Sequence, residues 1–259
     1  MQDFRMLSPE LKPIAAINAR YSASTPGLTN GVYYRAMCIN TPQYLLYLQQ
    51  KVRSLGGEVI KTRLPTDKGL ASALQQAENV AFSHGRPQAT LFLNATGLGA
   101  KALCNDAAMY PIRGQTVLVK GEAHCHAVRA GAHGAYTIPR PGSGTTILGG
   151  TKEADVWDET PDPSVTDRML ERNKALCPEL LTGKDGGFEV VGVQCGLRPG
   201  RRGGARLERE KVRVMGREME VVHAYGHAGG GYQNSVGSAR VVVGLVREAL
   251  GNEKLVARL

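Results

Sequence analysis

A chain of 259 residues, 42% hydrophobic and 21% charged, has the material for one large core or two smaller ones. Its net charge of +9 raises nucleic acid as a partner, but the basic residues are spread along the chain, only four Phe and one Trp could stack bases, and no zinc-finger or RNA-recognition signature appears. A solvated basic surface is therefore expected, with no nucleic-acid partner; no apolar run or N-terminal signal core points to a membrane. The five cysteines (Cys38, Cys104, Cys125, Cys177, Cys195) are odd in number and form no CxxC, which predicts reduced thiols in a cell and neither a disulfide framework nor a zinc site.

The first clear element is TPQYLLYLQQKVRSL (41–55), a helix with Thr41 as cap, Pro42 at the first helical position, apolar residues at 45, 48, 52 and 55, and Gly56 as its stop. EVIKTRL (58–64) reads as a strand, ASALQQAENVAF (71–82) as a helix, and ATLFLNATGLGAKAL (89–103) as a buried strand entering a glycine turn and a second helix. Such alternation is the grammar of an α/β layer with parallel strands. The middle of the chain differs: QTVLVK (115–120), AYTIPR (135–140) and GTTILGG (144–150) are short β-rich runs divided by Pro-Gly and Gly-Gly turns, followed by a helix over 164–176. These runs predict an antiparallel or mixed sheet in a second domain. The tail returns to α/β grammar with strand EVVHAY (220–225), loop GHAGGG and a helix from about 235 to 250 carrying Val236, Ala239, Val242, Val243 and Val246.

Four stretches invite chemistry. TGLGAKA (96–102) fits G-x-G-x-x-A between a strand and a helix, a pattern for dinucleotide phosphates, although no acid stands near Val117, about 20 residues on, where one belongs. In GHAGGGYQN (226–234), three consecutive glycines either let a ligand approach backbone N–H groups or simply make a tight turn. His227 beside them is a base or an ordinary hydrogen-bonding residue, and His124 and His126 flank Cys125 without the further ligands a metal would need. GLRPGRRGGARLE (196–208) packs four arginines and four glycines with one acid, and poses the question of which anion it holds.

The segments NATGLGAKAL, PIRGQTVLVK, AYTIPRPGSG with TILGGT, CGLRPGRRGGARLERE and VVHAYGHAGGGYQNSVGSA occur in that order across nearly the whole chain, and together they resemble a D-amino-acid oxidase of the fungal kind. The resemblance implies an α/β fold: an incomplete FAD-binding Rossmann-like domain and a substrate domain with a mixed or antiparallel sheet. Residues 40–111 would form part of the FAD-binding domain, 1–39 and 112–190 the substrate and interface domain, and 191–259 the return to the first with a C-terminal helix. It implies FAD as cofactor, a D-amino acid and dioxygen as small-molecule partners, and oxidative deamination to a 2-oxo acid, ammonia and hydrogen peroxide; a homodimer stays open. By resemblance, Arg206 pairs with the substrate carboxylate, Tyr136 donates its hydroxyl to the same group, and the Gly229 carbonyl receives the amine. Arg198, Arg201 and Arg202 are then expected to be structural or solvated. Gly229, Gly230, Gly231, Tyr232 and Gln233 match the loop facing the flavin, Arg63 and Leu64 a strand end near the adenosine, and Thr96 with Gly97 the turn after the next strand.

Two departures qualify the match. The family opens with a strand, a G-x-G-x-x-G turn and a helix for the FAD pyrophosphate, which MQDFRMLSPE does not supply, so weak or absent FAD binding is the expectation. A catalytically silent, binding or dimer-forming homologue is the corresponding alternative. Lys152 stands where oxidases of broad specificity carry an uncharged aromatic residue; with Arg129 it leaves oxidation of D-aspartate as a second alternative. The last residues, Ala257, Arg258 and Leu259, resemble a peroxisomal address.

Overall fold

The computed structural model describes Glu10–Lys12, Gly31–Tyr33, and residues 36–131 and 134–251, so the Ala257, Arg258 and Leu259 motif lies outside the described residues. In chain order the elements are β1 (Glu10–Lys12), β2 (Gly31–Tyr33), α1 (Thr41–Ser54), α2 (Gly69–Ser83), β3 (Leu91–Asn94), α3 (Ala100–Leu103), β4 (Met109–Lys120) and β5 (Ala127–Arg129). They continue with β6 (Ala135–Arg140), β7 (Thr145–Gly149), β8 (Glu153–Ala154), α4 (Pro163–Asn173), β9 (Val190–Arg201), β10 (Arg206–Val214), β11 (Arg217–Tyr225) and α5 (Ser235–Ala249). The chain divides into two units: Met1–Val59 with Gly114–Lys152 and Glu159–Gly196, and Ile60–Arg113 with Glu153–Asp158 and Leu197–Leu259.

The first unit is built on an antiparallel sheet in the order β5-β6-β7-β4. Alternation places Val117, Val119 and Leu148 on one face, where Val165 and Met169 of α4 cover them together with Cys177 and Leu180. Burial of each such large apolar side chain contributes roughly 1.5–3 kcal/mol. Helix α4 starts where it does because the Asp162 carboxylate accepts from the backbone N–H of Ser164 and Val165 and Pro163 occupies the first turn. On the opposite face Tyr136 stands across from Gly149 in the β6–β7 ladder. A Cβ at Gly149 would collide with the Tyr136 ring, and one at Gly150 would lie 2.6 Å from its hydroxyl. The Gly-Gly pair therefore does more than turn the chain: Gly149 belongs to β7, and its missing side chain makes room for the tyrosine.

The second unit has a three-stranded sheet in the order β10-β11-β3, with β11 antiparallel to β10 and parallel to β3. Leu70, Ala73 and Leu74 of α2 pack with Leu103, Val214, Met219 and Val221 on one face. Helix α5 packs on β10 and β11, with Arg209 4.0 Å from Glu248. Helix α2 is fastened at Glu78, whose two oxygens take Arg217 Nη2 at 2.8 and 2.9 Å while Oε1 also accepts the Ala89 N–H at 3.1 Å.

Three expectations change. Residues 58–64 are irregular and form no strand; a strand exists through its ladder, and among the described residues none runs beside this segment, of which Leu64 packs against the α2 core. The stretch taken as 40–111 divides at Val59, because α1 groups with the first unit, to which Asn40 is also tied through Nδ2 donating to Pro141 O at 3.1 Å. The stretch taken as 112–190 gives up Glu153–Asp158 to the second unit: β8 pairs with Ile112 and Arg113, and Arg113 donates from Nη1 to Glu153 at 2.5 Å and from Nε to Asp158 O at 2.8 Å.

Candidate functional site

Parallel strands β3 and β11 end side by side, with His223 in register with Asn94, and their continuations wall a cleft of about 440 Å³ within the second unit. Ala95 and Gly97 form the wall after β3; Ala224, Tyr225, Gly226 and His227 that of β11; Leu197, Arg198 and Pro199 of β9 face them; and Ala228, Gly229, Gly231 and Tyr232 close one end. Ends of parallel strands are the usual ligand position in open α/β sheets.

Glycines keep this cleft open. A Cβ at Gly97 would meet Pro199 at 3.8 Å, and one at Gly229 would meet Arg198 Cδ at 3.8 Å. Gly97 also has φ of +58°, which any other residue would hold under strain. The turn Ala228–Gly230 is fixed from behind by His227, whose Nε2 is 3.0 Å from Ser238 Oγ of α5. Thr96 is held by Asn94, whose Oδ1 accepts its N–H at 3.2 Å and its hydroxyl at 2.8 Å. His227 thus serves as a tether with a defined hydrogen-bond partner.

The arginine-rich stretch is sorted by the structure. Arg201 donates from Nε to Asp106 Oδ2 at 2.8 Å, and Arg202 reaches Asp155 at 3.1 Å while lying 4.7 Å over the Tyr110 ring. Arg206 is engaged on all three nitrogens: Nε to Glu208 at 2.6 Å, Nη1 to Tyr225 Oη at 2.9 Å and Nη2 to Glu210 at 2.8 Å. Burial opposes its charge, but the bonds to Tyr225 and Glu208 outweigh that and raise its pKa. Arg206, the sequence candidate for the substrate carboxylate, is thus held by Glu208, Tyr225 and Glu210. Residues 206, 208 and 210 share one face of β10, so strand alternation sets two glutamates beside the arginine, and a substrate would have to displace them. Arg198, expected from the sequence to be structural or solvated, lines the cleft.

Tyr225 links this cluster to the cleft wall. Its hydroxyl donates to Asp106 Oδ2 at 3.0 Å, and its pKa is pushed up to about 12 by burial and by the Asp106 bond, against the lowering effect of Arg206. Asp106 is partly buried, which opposes ionisation, yet bonds from Arg201, Tyr225 and the Ala108 N–H hold its carboxyl below the usual range.

Of the remaining sequence candidates, Gly229, Gly231, Tyr232 and Gly97 line the cleft, Thr96 and Gly230 sit in its turns, and Gln233 follows them on the exposed surface. Arg63 and Leu64 lie in the irregular segment and are not part of the wall. Tyr136 is on the face of the first unit's sheet opposite α4, and Lys152, the last residue of that unit's middle segment, is exposed. G-x-G-x-x-A leads into α3, a helix of four residues, too short to present phosphates with a helix terminus. Among the described residues no group of three or more His, Cys, Asp or Glu is placed to hold a metal, and no helix is long and apolar enough to cross a membrane.

A family model described as FAD dependent oxidoreductase matches residues 2–245. A D-amino-acid oxidase of Fusarium vanettenii is 36% identical over 229 residues, 85% of this chain and 60% of the relative. One from Schizosaccharomyces pombe is 36% identical over 206 residues, 78% of this chain and 55% of the relative. The chain thus spans between half and two thirds of the length of these relatives. In fold it is similar to the L-amino acid deaminase of Proteus vulgaris with its specific insertion sequence deleted, at a TM-score of 0.63 and 15% identity over 98% of this chain and 63% of that one.

Proposed function

Because the chain belongs to the FAD dependent oxidoreductase family, we propose that it acts as a D-amino-acid oxidase, converting a D-amino acid, dioxygen and water into a 2-oxo acid, ammonia and hydrogen peroxide. The observation that carries this reading is Arg198 in a glycine-walled cleft at the ends of β3 and β11. Two relatives of the same activity at 36% identity support it.

The cleft suits one part of a flat cofactor, since Gly97, Gly229 and Gly231 leave backbone where a side chain would fill the space. Thr96, Gly97, Gly230, Gly231, Tyr232 and Gln233 would hold FAD. The chemistry supplied by bound FAD is acceptance of hydride from the substrate α-carbon, with dioxygen as the final acceptor. The protein then needs no strong base, only orientation. Arg198 presents a planar fork that takes the carboxylate through two parallel N–H bonds, a match no lysine offers. The Gly229 carbonyl accepts from the substrate amine. For Tyr136 the role is the one implied by resemblance, a hydroxyl donor to the carboxylate. Lys152, being exposed, gives no reason to prefer an acidic side chain.

The test is peroxide release on D-alanine, D-methionine, D-aspartate and L-alanine, read beside Arg198→Ala and Arg206→Ala. Turnover of the neutral D-amino acids that Arg198→Ala removes is the expected result. Retention of kcat/KM in Arg198→Ala, or turnover confined to L-alanine, refutes the reading.

A further inference from the structure

Behind the cleft wall, His223 is fully buried and has no part in the roles above. In the ladders it stands between Glu208 of β10 and Asn94 of β3. Its Nδ1 is 3.1 Å from Asn94 Nδ2 and its Nε2 is 3.0 Å from Glu210 Oε2. The orientation of Asn94 is fixed independently: its Oδ1 accepts both bonds from Thr96, so its Nδ2 is the donor, directed at His223 Nδ1 and at Cys104 Sγ, 3.1 Å away. A nitrogen that accepts from an amide carries no proton, so the imidazole proton is on Nε2 and donates to Glu210. Glu210 in turn accepts from Arg206, and Arg206 holds the Tyr225 hydroxyl. The charged and titratable groups around the ring are Arg206, Glu208 and Glu210 from β10, Cys104 from the end of α3, and Tyr225, whose ring meets the imidazole edge-on at 5.7 Å. Burial, and then the Arg206 charge, lower the histidine pKa, which agrees with a neutral ring.

We propose that His223 is a positioning residue for the cleft: as its Nε2–H tautomer it joins Asn94, which holds the Thr96 turn, to Glu210, which holds Arg206 and through it Tyr225, so that the two strand ends keep one spacing. The wall residues Ala95, Gly97, Tyr225 and Gly226 all adjoin members of this chain of bonds. The inference rests on the reading of the cleft as the ligand site.

Three measurements on the isotope-labelled chain test it. Ring nitrogen spectra at about pH 7 are expected to show His223 protonated on Nε2 alone; an Nδ1–H tautomer or an imidazolium overturns the proposal. In His223→Leu, amide exchange at residues 95–97 and 224–226 is expected to quicken by roughly tenfold or more while Val117 and Val119 keep their protection, and His223→Gln, which offers an acceptor and a donor, is expected to restore exchange to within about threefold. Unchanged exchange, uniform acceleration through the second unit, or no rescue by Gln overturns it. Should His223→Leu not fold, Asn94→Asp replaces it: removing the amide donor should turn His223 into an imidazolium and quicken the same amides, and a neutral ring with normal exchange overturns the proposal.

Propionate, followed by the amide shifts of Gly97 and Gly229, separates the two readings. Shifts that Arg198→Ala abolishes and His223→Leu weakens by about tenfold support both. Their absence in the unaltered chain removes the ligand site and the role of His223 with it. Unaltered propionate affinity in His223→Leu, with Arg198→Ala still inactive, overturns the His223 proposal alone.

Discussion

Arg198 and Arg206 stand eight positions apart in the same arginine-rich stretch, and the fold gives them opposite uses. Arg206 sits on a strand face whose next two members are Glu208 and Glu210, across from Tyr225, and is consumed by its own neighbours. Arg198 precedes Pro199 on β9 and faces the glycine turn at 228–231. What alternates with an arginine along its strand, not the density of positive charge around it, therefore sets which groups it meets.

The comparison can be broken most directly by exchanging the two losses. Arg198→Ala is expected to lower kcat/KM for D-alanine by a few hundredfold, about 3 kcal/mol of transition-state binding, with little change in the urea midpoint. Arg206→Ala should do the reverse: a loss of about 2 kcal/mol in urea unfolding, because Tyr225 loses a partner and two carboxylates are left side by side, and kcat/KM within about threefold of the parent. Equal kinetic losses in both variants would erase the distinction.

A smaller effect sharpens the buried side of the comparison. Since the folded-state pKa of His223 is lowered, the unfolded chain binds the extra proton first, so its contribution to stability is complete above about pH 6.5 and is lost as pH falls through the folded value. Asp106, also lowered, adds a second loss, which begins only near the ordinary aspartate range of about 4. Urea titrations should show both steps, and His223→Gln should retain only the lower one. The smallest effect is expected at exposed Lys152: Lys152→Tyr should leave the ratio of D-alanine to D-aspartate turnover within about twofold, measured by peroxide release, as befits a solvated surface cation.

Much of this architecture is legible in the sequence. Helices 41–55, 71–82 and 164–176, the β-rich middle, and the glycine loop before a terminal helix all follow from periodicity and turn chemistry, and all occur. What failed did so for tertiary reasons. EVIKTRL has strand composition, but strand formation depends on a neighbour that composition cannot supply. The cleft residues Arg198, Leu197 and Pro199 carry no signal of their own, because which side of β9 meets the glycine turn is decided by packing. The glutamate partners of Arg206 are legible: R-L-E-R-E, read with a period of two, puts Glu208 and Glu210 on the arginine's own face. For His223, alternation within EVVHAY marks only burial, while its partners come from 129 and 13 positions away.

The Glu78–Arg217 fork joins residues 139 positions apart. On a ribosome, α2 emerges long before the β10–β11 hairpin whose Val214, Met219 and Val221 cover its Leu70, Ala73 and Leu74. Through most of synthesis that helix has its apolar face open and Glu78 without its arginine, and the whole first-unit sheet is made in the interval. The second unit therefore cannot close until the last fifth of the chain is present, roughly 10 s after α2 at common elongation rates. Its vulnerability to aggregation is set by that delay, a property of chain order that the finished contacts alone do not reveal.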